Sequence, residues 1–159
     1  MNLVVEDIAD LEYTVNSLST IGYDNIAGYL KGGMYPWISS GHPYESLPLL
    51  KASDLKEKIE HGEKLTLLDV RGPDEWDQGH LRDARRIYVG HLPEQLEKVS
   101  EEHPVVTICS TGRRASIAAS ILQRCGRSNV INLLGGMEAW VAAGYPTETG
   151  VKCKEATGL

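Results

Sequence analysis

Hydrophobic positions along the chain change period several times, and each change marks an element. Between residues 5 and 20, Ile8, Leu11, Val15 and Leu18 recur at spacings of 3, 4 and 3, which places them on one face of a helix that Gly22 stops. A short apolar run ending in Leu30 follows. Beyond residue 50 a regular alternation begins. A helix capped by Ser53 or Asp54 runs to about Glu60, and Thr66-Leu-Leu-Asp-Val70 reads as a buried strand. Pro73 to Gln78 is a short helix, Arg85 to Val89 a strand, Pro93 to Val99 a helix and Val105 to Ile108 a strand. Ala115 to Cys125 is a helix stopped by Gly126, Val130 to Leu134 a strand, and Met137 to Ala143 a helix stopped by Gly144. Strands alternating with helices predict an α/β fold, with a parallel sheet covered on both faces.

Two segments repeat. Gly32-Gly-Met-Tyr-Pro-Trp-Ile-Ser-Ser-Gly-His-Pro43 and Gly135-Gly-Met-Glu-Ala-Trp-Val-Ala-Ala-Gly-Tyr-Pro146 share Gly, Gly, Met, Trp, Gly and Pro at a constant offset of 103 residues. Upstream, with a one-residue slip, Gly22, Asn25 and Ile26 match Gly126, Asn129 and Val130. Two related units are expected, and they are unequal. Residues 1–48 hold one helix and one strand and read as the C-terminal fragment of a repeat. Residues 49–148 form the full domain, and 149–159 are a polar tail. The first helix cannot bury its stripe alone. It is expected to dock on the second unit, to pair with another chain, or to be the remnant of a larger protein.

Composition narrows the partners. The 159 residues are 42% hydrophobic and 24% charged, with a formal charge of -6 and an isoelectric point near 5.3. An acidic chain lacks the basic face that nucleic acid or an anionic membrane requires. No apolar run approaches a membrane span, and Met1-Asn-Leu-Val-Val-Glu-Asp lacks the basic start of a secretion signal, so a cytoplasmic protein is expected. Cys109, Cys125 and Cys153 are odd in number and widely spaced, and the histidines never fall at i, i+4. Neither a disulfide framework nor a metal site is indicated, and no cofactor is implied.

The chemistry gathers at Cys109. A β-branched strand runs into it, Ser110-Thr111-Gly112 turns the chain, and an amphipathic helix leaves. In such a turn the backbone N–H groups of Ser110 to Ala115 converge, and the positive end of the helix lies beneath the sulfur, so an anion there is favoured. Arg113 and Arg114 open the helix where positive charge is unfavourable unless an anion offsets it. Cys125, in line with Ile117, Ile121 and Leu122, is expected in the core. Cys153 is expected to be an idle exposed thiol, with a resolving thiol as its alternative.

Leu68-Asp-Val-Arg-Gly-Pro-Asp-Glu-Trp-Asp-Gln-Gly-His-Leu81, Cys109-Ser-Thr-Gly-Arg-Arg114 and Gly135-Gly-Met-Glu-Ala-Trp140, in this order and spacing, resemble the rhodanese family of sulfurtransferases over roughly residues 49–148. The resemblance implies a five-stranded parallel sheet flanked by helices, with Cys109 as the nucleophile that carries persulfide sulfur. It implies an anionic sulfur donor, such as thiosulfate or a low-molecular-weight persulfide, and a thiol or cyanide acceptor. Ser110, Thr111, Gly112, Arg113, Arg114 and Ala115 become the substrate cradle, with Arg114 as an anion contact, and Asp69, Arg71, Glu75 and His80 become architectural supports. Two positions depart from the family pattern. Asp83 stands where a glycine is usual, and aspartate tolerates left-handed backbone better than most residues. Ala115 replaces a frequent Ser or Thr, which removes a hydroxyl from the end of the loop.

Two competing functions are weighed. A cysteine phosphatase or arsenate reductase has five residues between Cys and Arg, whereas four intervene here, making a smaller cradle suited to one sulfur atom. A noncatalytic persulfide carrier or sensor is the other. The tandem arrangement resembles the C-terminal part of fusions in which a metallo-β-lactamase-fold persulfide dioxygenase precedes rhodanese repeats, so a fused or partner persulfide-handling protein is expected.

Overall fold

Each apolar run in the first 46 residues finds a place in a short β-α-β-α unit. The computed structural model describes residues 1–149, and its contacts divide the chain into Met1–Ser46 and a second unit that begins at Leu47. In the first, β1 (Asn2–Val4) leads into α1 (Ile8–Thr20), then β2 (Gly28–Leu30) and α2 (Met34–Ser39). β1 and β2 pair in parallel, with Leu3 opposite Tyr29. Asp7 caps α1, its carboxylate accepting the Ala9 N–H at 3.0 Å. The helix therefore begins three residues later than its pattern suggests, and none of its side chains is fully buried. β1 has no counterpart among the strands expected from the pattern.

The second unit carries the sheet. β3 (Leu49–Leu50), β4 (Thr66–Asp69), β5 (Arg85–Arg86), β6 (Val105–Ile108) and β7 (Val130–Leu133) lie in the order β3-β7-β6-β4-β5, all parallel. α3 (Ala52–Glu60), α4 (Pro73–Asp77) and α5 (Arg113–Arg124) lie in the connections between them, and α6 (Gly136–Ala142) follows the last strand. Successive strand residues point to opposite faces, and the core follows. Leu68, Val105 and Val130 join Ala115, Ala118, Ala119 and Leu122 of α5 on one side. Leu67, Val106 and Leu133 join Leu55 of α3 and Met137 and Trp140 of α6 on the other.

Four local expectations change. Only Arg85 and Arg86 of the Arg85–Val89 run are strand; Ile87 and Val89 still donate their N–H groups to the Asp69 and Val70 carbonyls, but the chain enters a 3-10 turn at Val89. The helix expected over Pro93–Val99 is instead two 3-10 turns, Val89–Glu94 and Leu96–Lys98, with Pro93 inside the first. α3 is capped at Lys51, since Ser53 already lies inside the helix. Cys125 is exposed, not in the core. α5 buries its small alanines while Ile117 points outward, and Cys125 falls at the C-cap, where the helical face no longer continues. Asp83 takes φ 61°, the left-handed turn anticipated for it. Cys153 and most of the polar tail lie outside the described residues.

Candidate active site

The site forms where β6 ends. Cys109 is 1% exposed and packs in the same core cluster as Ala115, and the next three residues turn the chain into α5. Gly112 is the N-cap of that helix at φ 98°, a conformation open to glycine with little strain. Its N–H donates to Cys109 Sγ at 3.1 Å. The other side of the turn is held by α6: Met137 N–H donates to the Cys109 carbonyl at 2.8 Å and Glu138 N–H to the Ser110 carbonyl at 3.0 Å. In a trans peptide the N–H points opposite its C=O, so the Ser110 and Thr111 amides face away from α6. Donors are thereby left free on the side away from α6. This close docking explains the paired glycines, because a Cβ on Gly136 would lie 2.1 Å from the Cys109 carbonyl oxygen.

The arginines separate. Arg114 makes a bidentate pair with Glu75 of α4, at 2.7 Å to Oε2 and 2.6 Å to Oε1, and also donates to Ser110 Oγ at 2.8 Å. Ser110 Oγ in turn donates to Glu75 Oε1 at 2.6 Å. The Arg114 hydrogen bonds hold Glu75 well below the usual carboxylate range, at about 2, against the opposing effect of partial burial, with Ser110 and the Gly72 N–H assisting. Glu75 raises the affinity of Arg114 for its proton, with a smaller contribution from the Cys109 sulfur. Arg114 thus braces the loop, its charge largely answered by Glu75. Arg113 is exposed and makes none of the ion pairs found among the described residues.

Of the remaining expected residues, Thr111 is exposed and Ala115 is fully buried, so Ala115 turns its methyl to the core and has only its backbone to offer a ligand. Asp69 and Arg71 form a separate buried pair one layer away. Arg71 Nη2 donates to Asp69 Oδ2 at 2.7 Å and to the Gly79 carbonyl at 2.7 Å, tying the end of β4 to the turn before His80. His80 stacks on Trp76 with ring centroids 3.6 Å apart and directs Nδ1 at the Trp76 carbonyl. Cys109 to Arg114 and Glu75 therefore form one cluster, while Asp69, Arg71 and His80 shape the turn that carries α4. Asn132, whose Nδ2 donates to the Gly112 carbonyl, also holds the loop, and its signal in the sequence is a lone amide in the apolar run Val130-Ile-Asn-Leu133. Among the described residues no cluster of metal ligands occurs, and no helix is long and apolar enough to cross a membrane.

A cysteine that accepts a backbone N–H at the carboxyl edge of a parallel sheet lies where open α/β sheets bind their ligands. The chain belongs to the rhodanese family: the rhodanese-like domain model matches residues 51–143. It is 30% identical over 110 residues to the putative sulfur carrier protein YrkF of Bacillus subtilis, covering 69% of this chain and 57% of that protein. To the thiosulfate sulfurtransferase GlpE of Coxiella burnetii it is 31% identical over 104 residues, covering 65% and 92%. The crystal structure of a rhodanese-related protein from Thermoplasma volcanium superposes with a TM-score of 0.59 at 30% identity, covering 64% of this chain and 97% of that one. The chain thus spans little more than half of the YrkF sequence.

Proposed function

We propose that this chain is a sulfurtransferase in which Cys109 carries sulfane sulfur as a persulfide. The observation that supports it best is the Gly112 N–H on Cys109 Sγ, combined with the withdrawal of the neighbouring carbonyls to α6. In the first step the Cys109 thiolate attacks the outer sulfur of thiosulfate or of a low-molecular-weight persulfide. The donor S–S bond breaks, sulfite or the donor thiolate leaves with the electron pair, and Cys109 holds a persulfide anion. In the second step a thiolate or cyanide attacks the terminal sulfur, departs as a persulfide or thiocyanate, and returns the Cys109 thiolate. Covalent storage divides the transfer into two steps with ping-pong kinetics. Amides fixed before the reaction stabilise the anionic sulfur without reorganisation, as in an oxyanion hole.

The decisive experiment is mass spectrometry after treatment with thiosulfate or glutathione persulfide. A one-sulfur adduct is expected in the native protein and absent in Cys109→Ser; an adduct that survives the substitution would sink the assignment. The name of YrkF, a putative sulfur carrier, supports a second reading, in which the chain relays persulfide to a fused or partner protein. Steady-state turnover with a thiol acceptor separates the two, since a carrier loads once and turns over only with its partner.

The first unit fits a silent role in the same reading, as the C-terminal part of a second rhodanese-like unit. Its β-α-β-α order repeats that of β6-α5-β7-α6. Trp37 Nε1 donates to the Pro43 carbonyl at 2.9 Å, and Trp140 Nε1 to the Pro146 carbonyl at the same distance. The turn between β1 and α1 is one residue shorter and holds Val5-Glu6-Asp7, with no thiol.

A further inference from the structure

We propose that Asn132, on β7, is the positioning residue that fixes the Gly112 peptide and so aims the loop at the Cys109 sulfur. The inference rests on Cys109 as the nucleophile and adds a residue to that site. Asn132 is 4% exposed, and its Nδ2 donates to the Gly112 carbonyl at 3.2 Å and to Ser116 Oγ at 2.8 Å. Ser116 Oγ donates to the same carbonyl at 3.1 Å, closing a triangle. The amide orientation is forced, because the Gly112 carbonyl can only accept. Both amide hydrogens are therefore spent on the N-cap of α5.

The need for such a clamp follows from the glycine. Glycine is the residue type with the widest backbone freedom, yet Gly112 supplies a hydrogen bond to Cys109 Sγ. The sulfur contact fixes the peptide on one side of its Cα, and Asn132 fixes the peptide on the other. The Ser116 bonds come from within α5 and would travel with the helix, whereas Asn132 belongs to the sheet and pins the helix start to it. The cost is visible. Asn132 Oδ1 is the single buried side-chain acceptor without a partner among the described residues, in a strand whose neighbours Val130 and Leu133 are buried and apolar. A leucine there would match the volume and leave no orphaned acceptor, so packing does not account for the amide.

The test uses the full chain and follows persulfide loading of Cys109 from thiosulfate by mass spectrometry, alongside the amide-proton resonance of Gly112 and thermal melting. In Asn132→Leu the loading rate is expected to fall about tenfold, the equivalent of one hydrogen bond, and the Gly112 resonance to move, with the melting temperature nearly unchanged. Asn132→Ala reads the same signals if the leucine variant does not fold. A folded variant that loads at the native rate with Gly112 unmoved overturns the proposal. Ser116→Ala keeps the Asn132 bond to Gly112 and should load within about twofold of the native rate. A tenfold loss there would transfer the role to Ser116 and overturn it equally. Native protein that takes up no sulfur at all would instead count against Cys109 as the carrier, a separate failure.

Discussion

Two strand-to-helix turns in this chain share a framework and differ in their content. After β6 the turn holds Cys109-Ser-Thr-Gly112 and opens α5 with two arginines; after β1 it holds Val5-Glu-Asp7 and opens α1 under an aspartate cap. Each faces a glycine from the following helix start, Gly136 in one and Gly33 in the other, both with positive φ. The contact differs in kind. Gly136 lies against the Cys109 and Ser110 carbonyls, while Gly33 lies against the Glu6 side chain. At α1 the N-cap carboxylate accepts one first-turn amide, that of Ala9, whereas at α5 the sulfur accepts from the N-cap residue Gly112 itself. A helix start can be stabilised by its own side chain or kept available for an anion, and these two turns illustrate the alternatives.

The largest effect expected from breaking the comparison is at the sulfur. Cys109→Ser should lower turnover by about a thousandfold or more, and adding Val5→Cys to it should restore none, because the first turn offers acidic side chains in place of amides and an arginine. Steady-state assay with thiosulfate and a thiol acceptor checks both; recovery by the double variant would erase the distinction. Next is the glycine pair. Gly136→Ala forces a Cβ onto the Cys109 carbonyl and is expected to cost about 3 kcal/mol with loss of loading. Gly33→Ala meets Glu6 Cγ at 3.0 Å, which can shift by a few tenths of an ångström, with the Glu6 Cα at an ordinary 3.5 Å, and should cost about 1 kcal/mol, mainly the strain of its φ. Equal unfolding midpoints in urea would refute this difference.

A smaller effect should appear at Glu75, which has no equivalent in the first turn. Its carboxyl is depressed from an ordinary 4.5 to about 2, so the stabilisation it provides is full above about pH 4.5 and fades as the pH falls toward 2. The pair is partly exposed, so Glu75→Gln should cost about 1 kcal/mol or less at neutral pH. That difference in melting should shrink through the acid range; a constant difference would deny the Arg114 pair its role. The smallest effect is at Arg113. Arg113→Gln removes an exposed positive charge from a helix start and should raise stability by about 0.3 kcal/mol. If thiosulfate is the donor, the loss of this positive charge should also raise its KM while leaving kcat nearly constant. An unchanged KM would leave the charge without a function.

The helix of the loop and the βα alternation were legible because each depends on residues near one another in sequence. β3 was not, since Leu49 and Leu50 are strand only through their pairing with Asn132 and Leu133. Cys125 shared the periodicity of α5, but the sheet selected Ala115, Ala118 and Ala119 as the buried stripe and left Ile117 outside. The ion pair of Arg114 was not legible, because its partner, Glu75, lies 39 positions away along the chain.

By itself the sequence determined where the candidate cysteine stands, the length of its loop and the repeated Gly-Gly-Met segment, because a cysteine after a β-branched run, a turn glycine and a helix start are local in origin. Tertiary structure decided how that loop is held. The carbonyls of Cys109 and Ser110 go to α6, Arg114 goes to Glu75, and Gly112 is pinned by Asn132, all through contacts between segments distant in sequence. Orientation of a peptide plane depends on where its hydrogen-bond partners stand in space, and the parallel sheet is what brings those partners together.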